Sequence, residues 1–318
     1  MASEFDLIQR YFTRPAPSAI LGVGDDAALI QPSPDMQLAV SADMLVAGRH
    51  FSYVDGPGTV GHKSLAVNLS DMAAMGAKPR WALLSLSLME PDEAWLRGFS
   101  GGFFGLAQKY GVELIGGDTT RGPLTISIQI MGEVPPGQAL RRDGAKPGDE
   151  IWVSGTLGNA ALALAHMRRS VELTALEAAT CLPALHLPQP RVALGIALRG
   201  IATSAIDISD GLLADLGHIL ERSNVAAEIE FQHIPISDTM RTHLQDEPAK
   251  NCILAGGDDY ELCFTVPATR HHDILALSRQ LDLALTCIGK IHAGQGCAVR
   301  DDAGQPMLVT ATGFDHFA

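Results

Sequence analysis

The sequence is poor in cysteine and in positive charge, and each shortage excludes a class of protein. Its five cysteines are odd in number, begin only at Cys181 and show no C-x-x-C spacing, which argues against a disulfide framework and a structural zinc site. Lys and Arg total 23 against 36 Asp and Glu, for a net charge of -13. Because a surface of that sign repels a phosphate backbone, we expect no nucleic-acid partner.

Long apolar runs are also missing. No stretch approaches the roughly 18 apolar residues of a membrane-spanning helix, and the opening residues MASEFDLIQRYF lack the basic start and apolar core of a secretion signal. We therefore expect no membrane association and a cytoplasmic location. Hydrophobic residues make up 47% of the 318, enough to build buried cores, and a chain of this length favours two domains.

Strand and helix patterns alternate along the chain. Apolar and polar residues alternate as in half-buried strands in 84–88 and 126–130. Further strands are predicted at 19–30 (interrupted by glycines and acids), 38–46, 151–154, 227–231 and 261–266, and helices at 59–75, 92–110, 157–168, 190–199 and 210–223. The turn-forming segment 141–149 marks the expected boundary. We predict two tandem α/β domains, of the α+β type, spanning 1–140 and 141–318.

Two phosphate-binding motifs are nearly present. In the segment 56–64, GPGTVGHKS, His62 separates the glycine and lysine that a Walker A loop places side by side. Gly22-Val23-Gly24 is followed by two aspartates, which would repel a pyrophosphate. We therefore expect neither a P-loop nor a Rossmann fold, and interpret 56–64 as a glycine-rich helix start.

Aspartates recur beside glycine or small residues where strands end, and two more occur at unusual places. Asp43 lies inside a predicted strand, and Asp71 shares a helix face with Ser64 and Asn68. Any one of these acids could be a turn former or a helix cap. Together they suggest cation binding, because buried carboxylates are costly unless paired. Oxygen ligands without clustered His or Cys favour Mg²⁺, so the pattern suggests a nucleoside-triphosphate site built without a P-loop.

In order and spacing, these segments resemble the thiamine-monophosphate kinase family. The matching motifs are Gly24–Ala28, Ser41–Val46, Asn68–Ala77, Gly116–Thr120, Asp207–Gly211 and Gly257–Leu262, and the ending Gly313–Phe317. The resemblance runs from about residue 4 to residue 317. It implies transfer of a phosphoryl group from ATP to thiamine monophosphate, giving thiamine diphosphate and ADP. It also implies an N-terminal domain that binds ATP and Mg²⁺ and whose sheets pair across a homodimer, with a C-terminal domain that completes the ATP and substrate site.

The resemblance further implies roles for individual residues. Several Mg²⁺ ions would be held by Asp26, Ser41, Asp43, Asp71, Asp118, Asp207 and Asp210, with Ala42 contributing its backbone carbonyl. ATP would contact Gly117, Asp118, Arg142 and Ser209, and thiamine monophosphate would contact His50, Glu261 and Phe317. Asp25 and Asp26 should point to opposite sides of an extended backbone, so only Asp26 is expected to reach metal.

Several points stay open at the level of sequence. Ala42 stands where the family often has threonine and Asp258 where it often has glutamate, but no presumed metal carboxylate is lost. Glu261 could instead form a structural salt bridge, His50 could be an interior histidine, and Phe317 could fill a core. Alternative functions are selenophosphate synthetase, disfavoured because no cysteine precedes Cys181, aminoimidazole-ribonucleotide synthetase, and a non-catalytic Mg-nucleotide-binding protein.

Overall fold

The computed structural model describes residues 3–309 and Gly313, and the chain folds as two compact units. The first unit comprises the residues up to Met72 together with Ala77–Gly137, and the second comprises Ala73–Gly76 and the chain from Gln138 onward. Each unit has its own mixed sheet and its own helices, which confirms the predicted fold class. Among the described residues, no helix combines the length and apolarity needed to cross a membrane.

The first unit is built on a four-stranded sheet. Its elements are α1 (Glu4–Leu7), a π-helical turn (Ile8–Phe12), β1 (Ala19–Leu21), β2 (Leu29–Ile30), β3 (Gln37–Val46), α2 (Pro57–Ala74), β4 (Lys78–Leu88), α3 (Glu93–Tyr110), β5 (Glu113–Arg121) and β6 (Thr125–Val134). The strand order is β3-β6-β4-β5, while β1 and β2 form a separate ribbon. Only the β4–β5 pair of this sheet is parallel. The predicted strand 19–30 is therefore two short strands separated by a loop.

Helix α3 shows why these residues adopt these elements. Asp92 accepts the backbone N–H groups of Ala94 and Trp95 at the N-terminus, and Gly111 ends the helix with φ 67°, a conformation in which a side chain would be strained. The apolar stripe buries Phe99 and Phe103 completely. The predicted helix over 92–110 is confirmed.

The segment that resembles a Walker A loop is the start of helix α2. The helix begins at Pro57, and the Lys63 side chain is buried, so this lysine does not reach over a phosphate loop. A Cβ atom on Gly61 would overlap the carbonyl oxygen of Phe99, and one on Gly102 would overlap that of Gly58. The glycines therefore allow α2 and α3 to approach backbone to backbone, which confirms the helix interpretation.

The second unit is built on a six-stranded sheet. Its elements are β7 (Asp149–Ser154), α4 (Asn159–Met167), α5 (Ala175–His186), α6 (Val192–Ala197), β8 (Ser204–Asp207), α7 (Leu212–Ser223), β9 (Ala226–Glu230), α8 (Asp238–Thr242), α9 (Glu247–Ala255), β10 (Leu262–Pro267), α10 (His271–Leu281), β11 (Leu285–His292) and β12 (Gly296–Arg300). The strand order is β12-β9-β11-β7-β10-β8. Its core includes Ile151, Ile206, Leu216 and Ile288, all buried.

Candidate active site

In the first unit, strand β3 and helix α2 bring two of the predicted metal ligands into contact. The Ser41 hydroxyl donates to the Asp71 carboxylate, with 2.5 Å between Oγ and Oδ2. Asp43 follows two residues later on the same face of β3, because side chains alternate along a strand. These three oxygen-bearing side chains therefore lie on adjoining elements.

A buried oxygen lies one helical turn before Asp71. The Asn68 side chain is fully buried, and its nitrogen donates to the Ser64 carbonyl at 3.0 Å. Its Oδ1 has no hydrogen-bond partner among the described residues, which is unusual because buried acceptors are nearly always satisfied. Asn68 and Asp71 share a helix face, so this face carries an unsatisfied acceptor beside a carboxylate.

The other first-unit residues are more dispersed. Asp26 is exposed in the loop between β1 and β2, and its N–H donates to the Asp25 carboxylate at 3.0 Å. Because 22–28 is a loop and not an extended strand, the alternation expected to separate these two side chains does not apply. Asp118 is exposed on β5, at the opposite edge of the sheet from β3. Three strand spacings put the Asp43 and Asp118 Cα atoms on the order of 14 Å apart.

Gly117 precedes Asp118 at a position that only glycine suits. Its φ is 147°, and a Cβ atom there would overlap the backbone of Leu84 on the neighbouring strand β4. Positive φ is strained for residues with side chains. The local backbone at this predicted ATP contact therefore depends on glycine.

His50 has a defined hydrogen-bonding state. Its Nδ1 accepts the backbone N–H of Val46 at 2.9 Å, so Nδ1 carries no proton in this arrangement. The neutral imidazole then carries its proton on Nε2. Nε2 is therefore the atom through which His50 can donate to a phosphate oxygen.

In the second unit, two of the predicted motifs lie side by side. Asp207 ends β8 and is buried, while Ser209 and Asp210 are half-buried in the loop before α7. The Ser209 carbonyl accepts the N–H of Asp258 at 2.8 Å, and backbone bonds of 2.8 Å join Ile208 to both Tyr260 and Glu261. The segments Asp207–Gly211 and Gly257–Glu261 thus form one continuous backbone-paired structure.

Glu261 forms the salt bridge that the sequence left open. Arg191 binds both of its carboxylate oxygens, with Nε 2.6 Å from Oε2. The Ser154 hydroxyl donates to the same Oε2 at 2.5 Å and accepts the N–H of Leu262 at 2.9 Å. A Cβ atom on Gly155 would overlap the carboxylate. Glu261 is therefore held on several sides, and Arg191 is a partner that the sequence reasoning missed.

The residues next to Glu261 carry backbone strain. Asp258 has φ 70° and Tyr260 has φ 50°, conformations that cost energy for residues with side chains. Between them, Asp259 accepts the N–H of Gly158 at 2.9 Å, and burial raises its pKa well above the usual value. Strain of this kind persists only where surrounding bonds enforce it, and it concentrates at functional sites.

Sequence reasoning also missed Asp215. Its buried carboxylate accepts three backbone N–H groups from the segment Ser209–Gly211, called here the Asp210 loop. Burial raises the pKa of Asp215 to about 7, while the hydrogen bonds from the loop act in the opposite direction. The available signal was an acid on the apolar stripe of α7, between Leu212 and Ile219.

Two further predicted contacts are Arg142 and Phe317. Arg142 is exposed, and its carbonyl accepts the Ser223 hydroxyl at 2.8 Å. Phe317 lies outside the described residues. A Cβ atom on Gly313 would be 2.5 Å from the Ala214 Cβ and 3.2 Å from the Asp210 carbonyl oxygen, so Gly313 lies beside the Asp210 loop.

Comparison with known proteins identifies the family. The AIR synthase related N-terminal domain matches residues 24–134, and the corresponding C-terminal domain matches residues 146–302. The chain is 47% identical to the thiamine-monophosphate kinase of Escherichia coli K12 across 99% of this chain and 98% of that protein. The chain belongs to the thiamine-monophosphate kinase family. This membership confirms the resemblance that the motifs predicted.

Solved structures of thiamine-monophosphate kinases share the fold. The crystal structure of the enzyme from Stenotrophomonas maltophilia K279a matches with 50% identity and a TM-score of 0.85, covering 92% of this chain and 93% of that one. The structure of AaThiL in complex with AMPPCP and TMP matches with 30% identity and a TM-score of 0.79, covering 90% and 89%. The architecture is therefore one on which a nucleotide analogue and TMP have been observed together.

The donor set of this thiamine-monophosphate kinase family member suits Mg²⁺. Within residues 3–309 and 313, no three His, Cys, Asp or Glu side chains form a metal-holding group. Mg²⁺ does not require one, because it keeps several waters and binds one or two carboxylates plus substrate phosphates. Pairs of oxygen ligands such as Ser41 with Asp71, next to the unsatisfied Asn68 oxygen, are the kind of donor it accepts.

Proposed function

We infer that the chain transfers the terminal phosphoryl group of ATP to thiamine monophosphate, giving thiamine diphosphate and ADP. The observation that carries this inference is the 47% identity to a thiamine-monophosphate kinase across 99% of this chain. The shared fold with a relative bound to AMPPCP and TMP supports both substrates. Because the match covers 99% of this chain, it spans both units.

Transfer to thiamine monophosphate does not require a general base. Its nucleophile is a phosphate oxygen that already carries negative charge at neutral pH, so no side chain has to remove a proton. We therefore assign no catalytic base. The main barrier is the repulsion between two polyanions on a chain whose own net charge is -13. Bound Mg²⁺ would supply the charge neutralisation and alignment that in-line transfer requires.

We propose that oxygen ligands from both units hold several Mg²⁺ ions. The proposed ligands are Asp26, Ser41, the Ala42 carbonyl, Asp43, Asp71, Asp118, Asp207 and Asp210. The hydrogen bond between Ser41 and Asp71 supports the assignment, since it keeps one carboxylate in a fixed orientation. The wide separation of Asp43 and Asp118 across the sheet favours more than one ion.

The remaining proposed contacts divide between the two substrates. Gly117, Asp118, Arg142 and Ser209 are assigned to ATP, where the exposed guanidinium of Arg142 suits a phosphate. His50 is assigned to the phosphate of thiamine monophosphate as a donor through Nε2. Glu261 and Phe317 are assigned to the thiamine part. Because Arg191 binds both oxygens of Glu261, this carboxylate would meet its ligand already oriented.

We also propose that two copies pair through the sheet of the first unit. Strand β3 is an edge strand, and it exposes Leu38, Val40 and Met44 on one face by 38%, 62% and 58%. Apolar side chains in a row on an edge strand favour association. This stripe, with Ser41 and Asp43 on the opposite face, would bring the cation ligands of β3 close to the interface.

The alternative functions have no support of comparable strength. Selenophosphate synthetase, aminoimidazole-ribonucleotide synthetase and a non-catalytic Mg-nucleotide-binding protein all share features with the predicted site. The full-length identity to thiamine-monophosphate kinases does not favour them.

The test is a direct assay of the purified protein. ATP, Mg²⁺ and thiamine monophosphate should yield thiamine diphosphate and equimolar ADP, measured by chromatography, and chelation of the metal should stop the reaction. Thiamine without its phosphate serves as the matched acceptor control and should not be converted. Absence of thiamine diphosphate with any divalent metal would refute the substrate assignment, while ADP release without an acceptor would indicate an ATPase.

A further inference from the structure

One buried carboxylate organises the backbone of the loop that contains Ser209 and Asp210. The Asp215 Oδ2 atom accepts the N–H groups of Ser209, Asp210 and Gly211 at 3.0, 3.0 and 3.1 Å. Asp215 lies in the first turn of α7, and only 3% of it is exposed. Three successive donors therefore converge on a single buried oxygen.

This arrangement differs from an ordinary helix cap. A capping side chain lies before the helix and accepts N–H groups of the first turn, whereas Asp215 lies inside the helix and accepts donors that precede it. Successive N–H groups of this kind often form a concavity that binds a phosphate. Here the Asp215 carboxylate accepts these N–H groups in the place that a phosphate would take. The loop's N–H groups are thus committed, so Ser209 and Asp210 would act on a ligand through their side chains or their carbonyl oxygens.

The other side of the loop is equally constrained. The carbonyl of Ser209 accepts the N–H of Asp258 at 2.8 Å. Gly211 has φ 123°, and a Cβ atom there would be 2.6 to 2.9 Å from the backbone of Ala255. The loop is therefore fixed between Asp215 on one side and the chain around Gly256 on the other.

Burying this carboxylate lowers the stability of the fold, so its presence calls for a role other than packing. A buried charge without a cationic partner costs several kcal/mol, and the ion pairs among the described residues do not include Asp215. Among the described residues, the hydrogen bonds that compensate for it come from backbone N–H groups. A helix whose stripe is otherwise Leu212, Leu216 and Ile219 would pack with an apolar residue at this position.

We propose that Asp215 is a positioning residue for catalysis. It fixes the backbone of Ser209–Gly211 so that the side chains of Ser209 and Asp210 are presented in the geometry that Mg²⁺ and ATP require. This inference rests on the proposed function, because it takes from it the roles of Ser209 and Asp210. It adds a residue that touches neither substrate nor metal yet sets the affinity for nucleotide.

The test compares two buried carboxylates in the same unit. Asp215→Asn keeps the shape of the side chain but removes its charge and leaves at most one neutral oxygen to accept the three N–H groups. Asp149→Asn is the matched control, since Asp149 is also buried and accepts the Lys146 N–H and the Thr203 hydroxyl but lies outside the predicted motifs. Titration calorimetry with Mg²⁺ and AMPPCP gives nucleotide affinity, and thermal unfolding gives stability.

We expect Asp215→Asn to weaken binding of Mg²⁺-AMPPCP by about tenfold to a hundredfold, the range for losing hydrogen bonds to a charged group. The KM for ATP should rise in parallel, while the affinity for thiamine monophosphate alone should change less than threefold, roughly the limit of a distant effect. Asp149→Asn should lower the unfolding temperature without changing nucleotide affinity.

Two outcomes would overturn the proposal. Unchanged Mg²⁺-AMPPCP affinity in folded Asp215→Asn protein would reduce Asp215 to a structural role, and an equal loss in Asp149→Asn would indicate general destabilisation. If Asp215→Asn does not fold, Asp215→Glu retains the charge and displaces it by one methylene. The affinity of Asp215→Glu for Mg²⁺-AMPPCP must then be lower than that of the wild type. An unchanged affinity in that variant would also refute the proposal. Failure of the proposed function is distinguishable, because wild-type protein would then make no thiamine diphosphate at all.

Discussion

The two units hold their predicted site residues in different ways. In the first unit, Asp26 and Asp118 are exposed, and the Ser41 hydroxyl donates to the Asp71 carboxylate. In the second unit, backbone bonds, a buried carboxylate and a bidentate salt bridge fix the Asp210 loop and Glu261. The comparison teaches that bonds within the second unit fix its site residues, whereas the exposed Asp26 and Asp118 of the first unit would be oriented mainly by the proposed cation.

The strongest test of this comparison removes one carboxylate from each unit. Asp71→Asn and Asp207→Asn should both fold normally and should each reduce turnover by at least about a thousandfold, since a metal ion contributes several kcal/mol to such a transfer. Asp273→Asn, at an exposed surface ion pair, is the control and should retain activity. Near-normal turnover in both variants would refute the metal assignment, and a loss in only one would assign the cations to a single unit.

Removing one side-chain contact from each unit should lower the free energy of unfolding by unequal amounts. Arg191→Ala should lower the free energy of unfolding by about 3 kcal/mol, because it leaves the Glu261 charge buried without its partner. Ser41→Ala should cost only about 1 kcal/mol, the net value of one hydrogen bond. Urea denaturation measures both.

A second substitution of Arg191 separates its contribution to stability from its contribution to substrate binding. Arg191→Lys keeps the charge but not the two-point contact, so the KM for thiamine monophosphate should rise while kcat changes less. If Arg191→Ala and Ser41→Ala cost the same stability, the proposed difference in preorganisation between the units is wrong.

The exposed apolar stripe on β3 belongs to the first unit. Substituting a residue of this stripe tests whether dimerisation depends on that unit. Val40→Lys should weaken dimerisation by at least about a hundredfold, since it places an unpaired charge in an apolar interface. Light scattering after size-exclusion chromatography measures the mass. Val54→Lys, at a residue that is 87% exposed, is the matched control and should leave the mass unchanged. A wild-type protein of one-chain mass would contradict the pairing proposal.

The smallest expected effect concerns a surface cap in the second unit. Hydrogen bonds from Thr174, its backbone N–H first, lower the pKa of Glu177 from 4.5 to about 2. A depressed pKa stabilises the folded state above the ordinary value, and the contribution is lost as the pH falls from about 4.5 toward 2. Glu177→Gln keeps the capping geometry, so its urea midpoint should lie below wild type near neutral pH and approach it near about pH 3. A pH-independent difference would exclude the charge as the cause.

Local features of the fold could be predicted from the sequence, because local residues determine them. Asp92 and Gly111 flank α3 at the positions where caps are required, and the alternation in 84–88 reports burial on one face of β4. The loop 22–28 was misjudged as extended because its glycines and acids obey turn preferences rather than alternation.

The site was harder to predict where it depends on distant partners. Arg191 and Glu261 are 70 residues apart in the sequence, and no sequence feature near either residue indicates that they pair. Asp215 was visible in principle, since an acid on an otherwise apolar stripe is costly. Its function became apparent only with the three convergent N–H groups.

The close approach of helices α2 and α3 has a consequence for mutational surveys. Gly61 and Gly102 leave no room for even a methyl group, so any substitution must separate α2 from α3 and would disturb the helix that carries Asp71. In a saturation-mutagenesis map scored by growth without external thiamine diphosphate, these two glycines should therefore tolerate as little change as the proposed metal carboxylates, although neither is assigned to a ligand.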